Sequence, residues 1–294
     1  MIRVGPAGWS YPDWENRVYP AVRPAGFHPL SFLARYFDTI EINSSFYAMP
    51  RSEHADRWVR LVADHASFRF LVKLNRELTH DASGADPERW PGLAAEFLHG
   101  IEPLGKAGKL GAILAQFPFS FRFGPEEVRR LGRLRALLPV QPLVLEVRHA
   151  SWFTPPALDT IRGLGFSLSY VDLPPSWDHP PDWHEPTGAI GYLRLHGRNA
   201  TQWFRRGAER DDKYDYLYGA SEIDALARKA ERIASVHDAT SVVTNNHFEG
   251  KAVANAFEIL SALSGKPVSA PSEIAASFPH LLDRVRVEGQ QQLF

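Results

Sequence analysis

In the stretch TIEINSSFYAMP (39–50), Glu41 and Asn43 alternate with Ile40 and Ile42, a period of two that places both polar groups on one face of a strand. The same parity recurs along the chain. Glu146 and Arg148 oppose Leu145 and Val147, Arg194 and His196 oppose Leu193 and Leu195, and Lys73 and Asn75 oppose Val72 and Leu74. Asp172 closes a further apolar run. Charged groups in strands that otherwise read as buried must be paired or bound to metal, so their convergence at one end of the strands is the chief signal of a site. A structural ion-pair network without chemistry is the bland rival. Glu41, Glu146, Asp172 and His196 are of types that ligate metals, yet Lys73, Arg148 and Arg194 balance the three carboxylates. We therefore expect no cofactor and a metal-free pocket for an anion or polar substrate, with a divalent ion as the alternative. The chemistry would be proton transfer: Glu146 or Glu41 as general base, His196 as acid, Asp172 as a further catalytic carboxylate, and the three cations on substrate charge.

The elements that must position these groups are short apolar segments at 2–8, 39–43, 68–74, 110–117, 142–148, 166–172, 190–197 and 241–246. Amphipathic stretches separate them, for example 52–66 and 125–138, and Pro125 and Pro155 stand where first helical turns would begin. Strands alternating with helices imply parallel pairing through right-handed crossovers. Eight units in this length predict an α/β fold, a single-domain (β/α)8 TIM barrel with elaborated loops at its C-terminal face. A doubly wound sheet is disfavoured because GPAGWSY, after the first segment, lacks the glycine-rich phosphate turn. The expected division is a barrel over 1–265 and a C-terminal extension over 266–294.

Several function classes drop out. With no cysteine in 294 residues there is no disulfide, thiolate nucleophile or zinc–thiolate site. A formal net charge of −1 gives no whole-molecule attraction to nucleic acid or membrane, so anion binding must be local. The first residues lack a signal-peptide pattern and no apolar run is long enough to span a bilayer, so we expect a cytoplasmic protein without membrane contact. GIEPLGKA (100–107) lacks the Ser or Thr of a phosphate loop and precedes a strand, which makes it a chance match. His179 and His184, in the proline-rich connection 173–188, read as solvated. Many aromatics fall in connections after strands, among them Trp9, Tyr47, Trp203 and Tyr214. Packing over the strand ends accounts for most of them, while Trp9 and Tyr47 are candidates for stacking on bases or sugar rings.

GPAGWSYPDWENRVYP, TIEINSSFYAMP, LVKLNRELTH, LAQFPFSF, LEVRHASWF, VDLP, YLRLHGR and TNNHFEGKAVANA, in that order over about residues 2–264, resemble the YecE-like family, domain of unknown function 72. The resemblance implies a barrel related in shape to xylose isomerase and to the endonuclease IV type of DNA repair enzyme. It points to Glu41, Asn43, Lys73, His80, Gln116, Glu146, Arg148, His149, Asp172, Arg194, His196, Asn245 and Asn246 as the matching polar positions. The metal-rich ligand set of the repair nucleases is not recognisable among them.

The final stretch, GQQQLF, adds a separate signal. Gln290, Leu293 and Phe294 match the Gln-x-x-Leu-Phe peptide with which bacterial DNA-processing proteins dock on the sliding clamp. Docking raises effective concentration on DNA and would replace the missing global charge. The preferred expectation is thus an enzyme that processes nucleic acid, by phosphodiester cleavage or at a damaged site. A small-molecule enzyme on sugar-like substrates and a DNA-binding module without catalysis are the alternatives.

Overall fold

The β-branched and aromatic runs of the sequence become short parallel strands. The computed structural model describes residues 1–80, 88–205, 207 and 209–288. Its strands are β1 (Ile2–Pro6), β2 (Thr39–Ile42), β3 (Arg69–Lys73), β4 (Leu110–Gln116), β5 (Leu143–Glu146), β6 (Ser167–Leu168), β7 (Tyr170–Asp172), β8 (Ile190–Leu195) and β9 (Ala239–Thr244). Each of the eight apolar segments contributes to this set. Helices open on Pro125 and Pro155, whose fixed φ suits a first turn and whose missing N–H would have had no intrahelical partner.

Where one closed barrel is expected, the ladders form two parallel sheets, ordered β2-β3-β4-β5-β6 and β1-β9-β8-β7. They meet at two seams. At the first, β1 and β2 share a single bridge, Ala7 with Glu41, and the Gly8 N–H donates to the Glu41 carbonyl at 2.8 Å. At the second, one apolar segment is divided at Ser169 into β6 and β7. The physical cause is local. The Leu168 N–H is taken by Thr187 Oγ1 at 2.8 Å and the Ile190 N–H by Ser167 Oγ at 3.1 Å, so hydroxyls divert groups that would extend the ladder.

Alternation then sorts the side chains. Ile40, Ile42, Val72, Leu145, Leu193 and Leu195 join the large core between sheets and helices. Ala7, Leu71, Ala112, Leu114, Val144, Tyr192 and Val243 form a second, small cluster drawn from both sheets. Two residues further along the strands, the same face becomes polar: Leu71 is followed by Lys73, Leu114 by Gln116, Val144 by Glu146, Tyr192 by Arg194 and Val243 by Asn245. An apolar floor thus carries a polar layer at the C-terminal ends of the strands.

Beyond Gly265 the chain adds a parallel pair, β10 (Val268–Ala270) and β11 (Val285–Val287). Ile274 and Leu281 are fully buried in the large core, and Glu288 accepts from Arg35 Nη2 at 2.7 Å and the Tyr36 hydroxyl at 2.8 Å. Residues 266–288 are therefore packed on the sheet-and-helix body. Gln290, Leu293 and Phe294 lie outside the described residues. No described helix is long and apolar enough to cross a membrane.

The first seam depends on Gly5. A Cβ there would stand 1.7 Å from the Thr39 carbonyl oxygen, a backbone atom that cannot step aside. Gly5→Ala should destabilise the protein by more than about 3 kcal/mol, measured as the shift of a urea unfolding midpoint at constant slope.

Candidate active site

Arg194 stands at the centre of the polar layer. Its guanidinium reaches from β8 across to the other sheet, donating from Nη2 to Glu41 Oε1 and from Nη1 to Glu146 Oε2, both at 2.7 Å. All three side chains are essentially without solvent exposure. The Tyr192 hydroxyl donates to Glu41 Oε2 at 2.6 Å, and Arg148 donates to Glu146 Oε1 from Nε at 3.0 Å and Nη2 at 2.9 Å. Both carboxylates are thus saturated by charge-assisted hydrogen bonds.

This arrangement decides protonation. Burial alone would raise the Glu146 carboxyl, but Arg194, His196 and Arg148 outweigh it and hold the group well below the usual carboxylate range. A carboxylate so held is a poor general base, contrary to the expected role. Burial pushes the His196 imidazole down to about 3, with Arg194 and Arg148 adding to the effect against the opposing pull of Glu146. His196 is therefore neutral near pH 7, which removes the expected imidazolium acid. Its Nδ1 faces Asn245 Nδ2 at 3.0 Å; with Nδ1 accepting, the proton sits on Nε2, 3.3 Å from Glu146 Oε1 but poorly aligned for a hydrogen bond.

Lys73 differs from the arginines. At the end of β3 it is half-buried, and among the described residues its Nζ makes no ion pair or hydrogen bond. The Phe46 ring lies 3.9 Å from Nζ. Burial, then the neighbouring Arg194 charge, push its amine down to about 7; Glu41 and Glu146 oppose that shift and Arg148 adds to it. The face of Phe46 also favours the ammonium. His80 joins the same wall: its ring meets Phe46 edge-on at 4.8 Å, and its Nε2 is 3.5 Å from Gln116 Nε2. Burial and the Lys73 and Arg148 charges lower His80 to about 4.

Other predicted residues go elsewhere. Asp172 leaves the cluster: it takes Arg198 Nε at 2.9 Å and Nη2 at 2.6 Å, and the Tyr218 hydroxyl at 2.7 Å. Arg198 continues to Glu222 at 2.8 Å, so this network ties the connection after β8 to the helix Ala220–Ala234. His149 bonds Ser151 Oγ and Asp178 and anchors the proline-rich connection. His184 is buried, not solvated, with its ring stacked 4.1 Å from Tyr170, and His179 bonds the Leu173 carbonyl. Asn246 Nδ2 donates to the Tyr216 carbonyl and to Asn255. Asn43 precedes the short helix Ser44–Tyr47 without a side-chain cap. Trp9 packs edge-on against Trp58, and Tyr47 is exposed beside Phe46.

Sequence reasoning missed Tyr192, although it shares parity with Arg194, and Lys213; Trp203 and Tyr214 stand only among the connection aromatics read as a stacking platform beside arginines. Trp203, Lys213 and Tyr214 come from the connection after β8 and cover the polar layer. Trp203 meets Tyr214 edge-on at 5.6 Å, His196 lies 6.0 Å from Trp203, and the Arg148 guanidinium is 5.8 Å from the Trp203 ring. Arg148 and Trp203 line two adjoining cavities. One, of about 340 Å³, has Phe119, Leu173, Trp177 and Phe204 on its walls; the other, of about 380 Å³, adds Lys213 and Tyr214. Larger hollows of about 420 and 450 Å³ lie elsewhere, around Glu102 and Lys106 and around Asp224 and Arg284, away from the buried charges. Among the described residues no group of three or more His, Asp or Glu is arranged to hold a metal ion.

The family profile described as "Protein of unknown function DUF72" matches residues 3–276. The UPF0759 protein YunF of Bacillus subtilis is 26% identical over 90% of this chain and 95% of its own length. The UPF0759 protein YecE of Escherichia coli K12 is 33% identical over 52% of this chain and 50% of its own. The crystal structure of a DUF72 family protein from Thermotoga maritima MSB8 superposes with a TM-score of 0.76 and 30% identity, covering 90% of this chain and 99% of that one.

Two outcomes follow from the charge cluster. Arg194→Met leaves two buried carboxylates without their shared partner and should cost about 3–5 kcal/mol in denaturant unfolding. Acid should weaken the fold before carboxylates titrate: folded His196 stays neutral to about 3 while the unfolded imidazole takes a proton near 6.5, so stability falls as pH drops through that window. His196 alone should contribute a loss of about 2 kcal/mol at pH 5, read as the difference in unfolding free energy between pH 7.5 and pH 5 that His196→Gln diminishes. Glu146, depressed in the fold, adds a loss in the same direction at lower pH.

Proposed function

The chain belongs to the DUF72 family, and from the geometry at its strand ends we propose that it is a nucleic-acid-processing enzyme acting on a phosphodiester or a damaged site. We read the two sheets as working together as one (β/α)8 barrel, with the polar layer at its C-terminal end. The observation that carries the reading is Arg148. Two of its nitrogens are fixed on Glu146, and the guanidinium lines both cavities beside Trp203. A cation held rigidly next to a half-buried aromatic ring that lines a cavity suits a unit that is both anionic and planar, such as a nucleotide. Lys213 extends the positive field, and Trp177, 89% exposed, offers a further ring on the cavity wall. The duty of proton transfer passes from Glu146 and His196 to Lys73, whose amine titrates near neutrality.

Cavities of about 340 and 380 Å³ also fit a sugar-like small molecule, which is the second reading. Nucleic acid is preferred because Gln290, Leu293 and Phe294 match a sliding-clamp docking peptide, which compensates for a net charge of −1. A screen of labelled single-stranded and duplex oligonucleotides by fluorescence anisotropy and gel cleavage, with and without magnesium or manganese, tests the choice. Arg148→Ala and Trp203→Ala should each weaken oligonucleotide binding by roughly tenfold or more. Deleting Leu293 and Phe294 should abolish binding to purified sliding clamp and leave oligonucleotide binding unchanged. Turnover of sugar phosphates with no affinity for any oligonucleotide would replace this reading by the second.

A further inference from the structure

Lys73 is the member of the cluster that the ion-pair geometry leaves over. Glu41 and Glu146 are matched by Arg194 and Arg148, so the four fixed charges cancel. Asp172 is matched separately by Arg198. A fifth charge at Lys73 has no carboxylate within ion-pair distance among the described residues. Its side chain is nonetheless half-buried at a strand end, held between the Phe46 ring and the charged layer. The backbone around it is fixed: Ser45 Oγ donates to the Lys73 carbonyl at 2.6 Å, and Asn75 Nδ2 donates to the Ser45 carbonyl at 3.1 Å. A structural lysine would be expected to find an acidic partner or to extend into solvent. This one has no acidic partner within ion-pair distance among the described residues and is only partly exposed.

We propose that the Lys73 amine is a nucleophile toward carbonyl carbon, forming a covalent imine with an aldehyde or ketone on a phosphorylated sugar unit. The inference rests on the reading of the Arg148 cavities as the place where the phosphate is held. The amine lone pair attacks the carbonyl carbon and the C–N bond forms. One N–H proton and one proton from solvent then leave with the carbonyl oxygen as water, and a protonated C=N linkage remains. No oxidant or reductant is consumed. An open-chain sugar phosphate and the aldehydic sugar at a baseless site in DNA share this chemistry. The latter joins the imine to nucleic-acid processing.

The environment supports the neutral form that attack requires. The charged groups facing Lys73 are Glu41 from β2, Glu146 and Arg148 from β5 and its extension, and Arg194 from β8, with His80 neutral near pH 7. An amine titrating near 7 has roughly a thousandfold larger neutral fraction at that pH than an ordinary lysine near 10.4. Nearby His80 is neutral through the same range, so among the groups facing it the Lys73 amine is the one that titrates near 7.

The test is borohydride trapping on the full chain. The protein is incubated at pH 7 with D-glyceraldehyde 3-phosphate, or with an oligonucleotide carrying one aldehydic baseless site, and reduced with sodium borohydride. Intact mass and peptide mapping locate the adduct. The expected result is one secondary amine at Lys73, formed at least tenfold faster than at any other lysine, half-maximal near pH 7 and absent in Lys73→Arg. Adducts spread over other lysines with Lys73 unmodified would overturn the proposal, and mapping them on the unmutated protein makes that result independent of how the variant folds. Binding of an undamaged oligonucleotide, read by anisotropy, separates the two ideas. Trapping of the sugar phosphate without oligonucleotide affinity removes the nucleic-acid reading and keeps the imine, whereas oligonucleotide affinity without trapping by either probe removes the imine.

Discussion

A guanidinium shared between two carboxylates crosses the space between the two sheets, and the rest of the structure is arranged to make that tolerable. Arg194 comes from β8, while Glu41 and Glu146 come from β2 and β5 of the other sheet. Taking three such charges from water costs several kcal/mol per ion, a loss that Coulomb attraction offsets only when geometry is near ideal and remaining lone pairs are filled. Tyr192 and Arg148 fill them. Buried ion pairs often add little net stability over apolar side chains of similar volume; what the geometry shows is that the fork fixes Glu146 and, through it, the orientation of Arg148.

That field has a simple origin. Two carboxylates and two guanidiniums cancel, so the position of Lys73 is close to uncompensated and burial pushes its amine toward neutrality. Asp172 is outside that sum because strand parity turns it away: it stands in register with Leu195, on the face opposite Arg194. Arg198, which follows the glycine turn after β8, meets Asp172 on that outer face. The same Arg198 holds the helix Ala220–Ala234 through Glu222.

The connection after β8 also supplies the aromatic cover. Trp203 and Tyr214 stand over His196 and Arg148, which limits solvent at the polar layer and creates cavities with one charged and several apolar walls. Loops carried by a rigid scaffold are where binding groups are placed at least cost to the core. The strands supply the fixed charges, and the connections supply the walls that cover them.

The sequence by itself determined which residues share a face. Period-two alternation needs no tertiary information, because successive Cβ atoms on a strand must point to opposite sides; it therefore put Glu41, Lys73, Glu146, Arg148, Arg194 and His196 together, and eight apolar segments were legible for the same reason. Tyr192 was readable by that rule and was overlooked. Tertiary structure alone decided the pairing. Whether His196 is charged and whether Lys73 finds a carboxylate depend on distances across sheets and on burial, which no local pattern encodes, whereas the outward turn of Asp172 follows from its sharing a face with Tyr170 and Leu195. The division into two sheets was likewise invisible, since it turns on hydroxyls of Thr187 and Ser167 competing for backbone N–H groups in the folded chain. Protonation, and with it the chemistry, is a property of the assembled field, whereas the list of participants is a property of strand geometry.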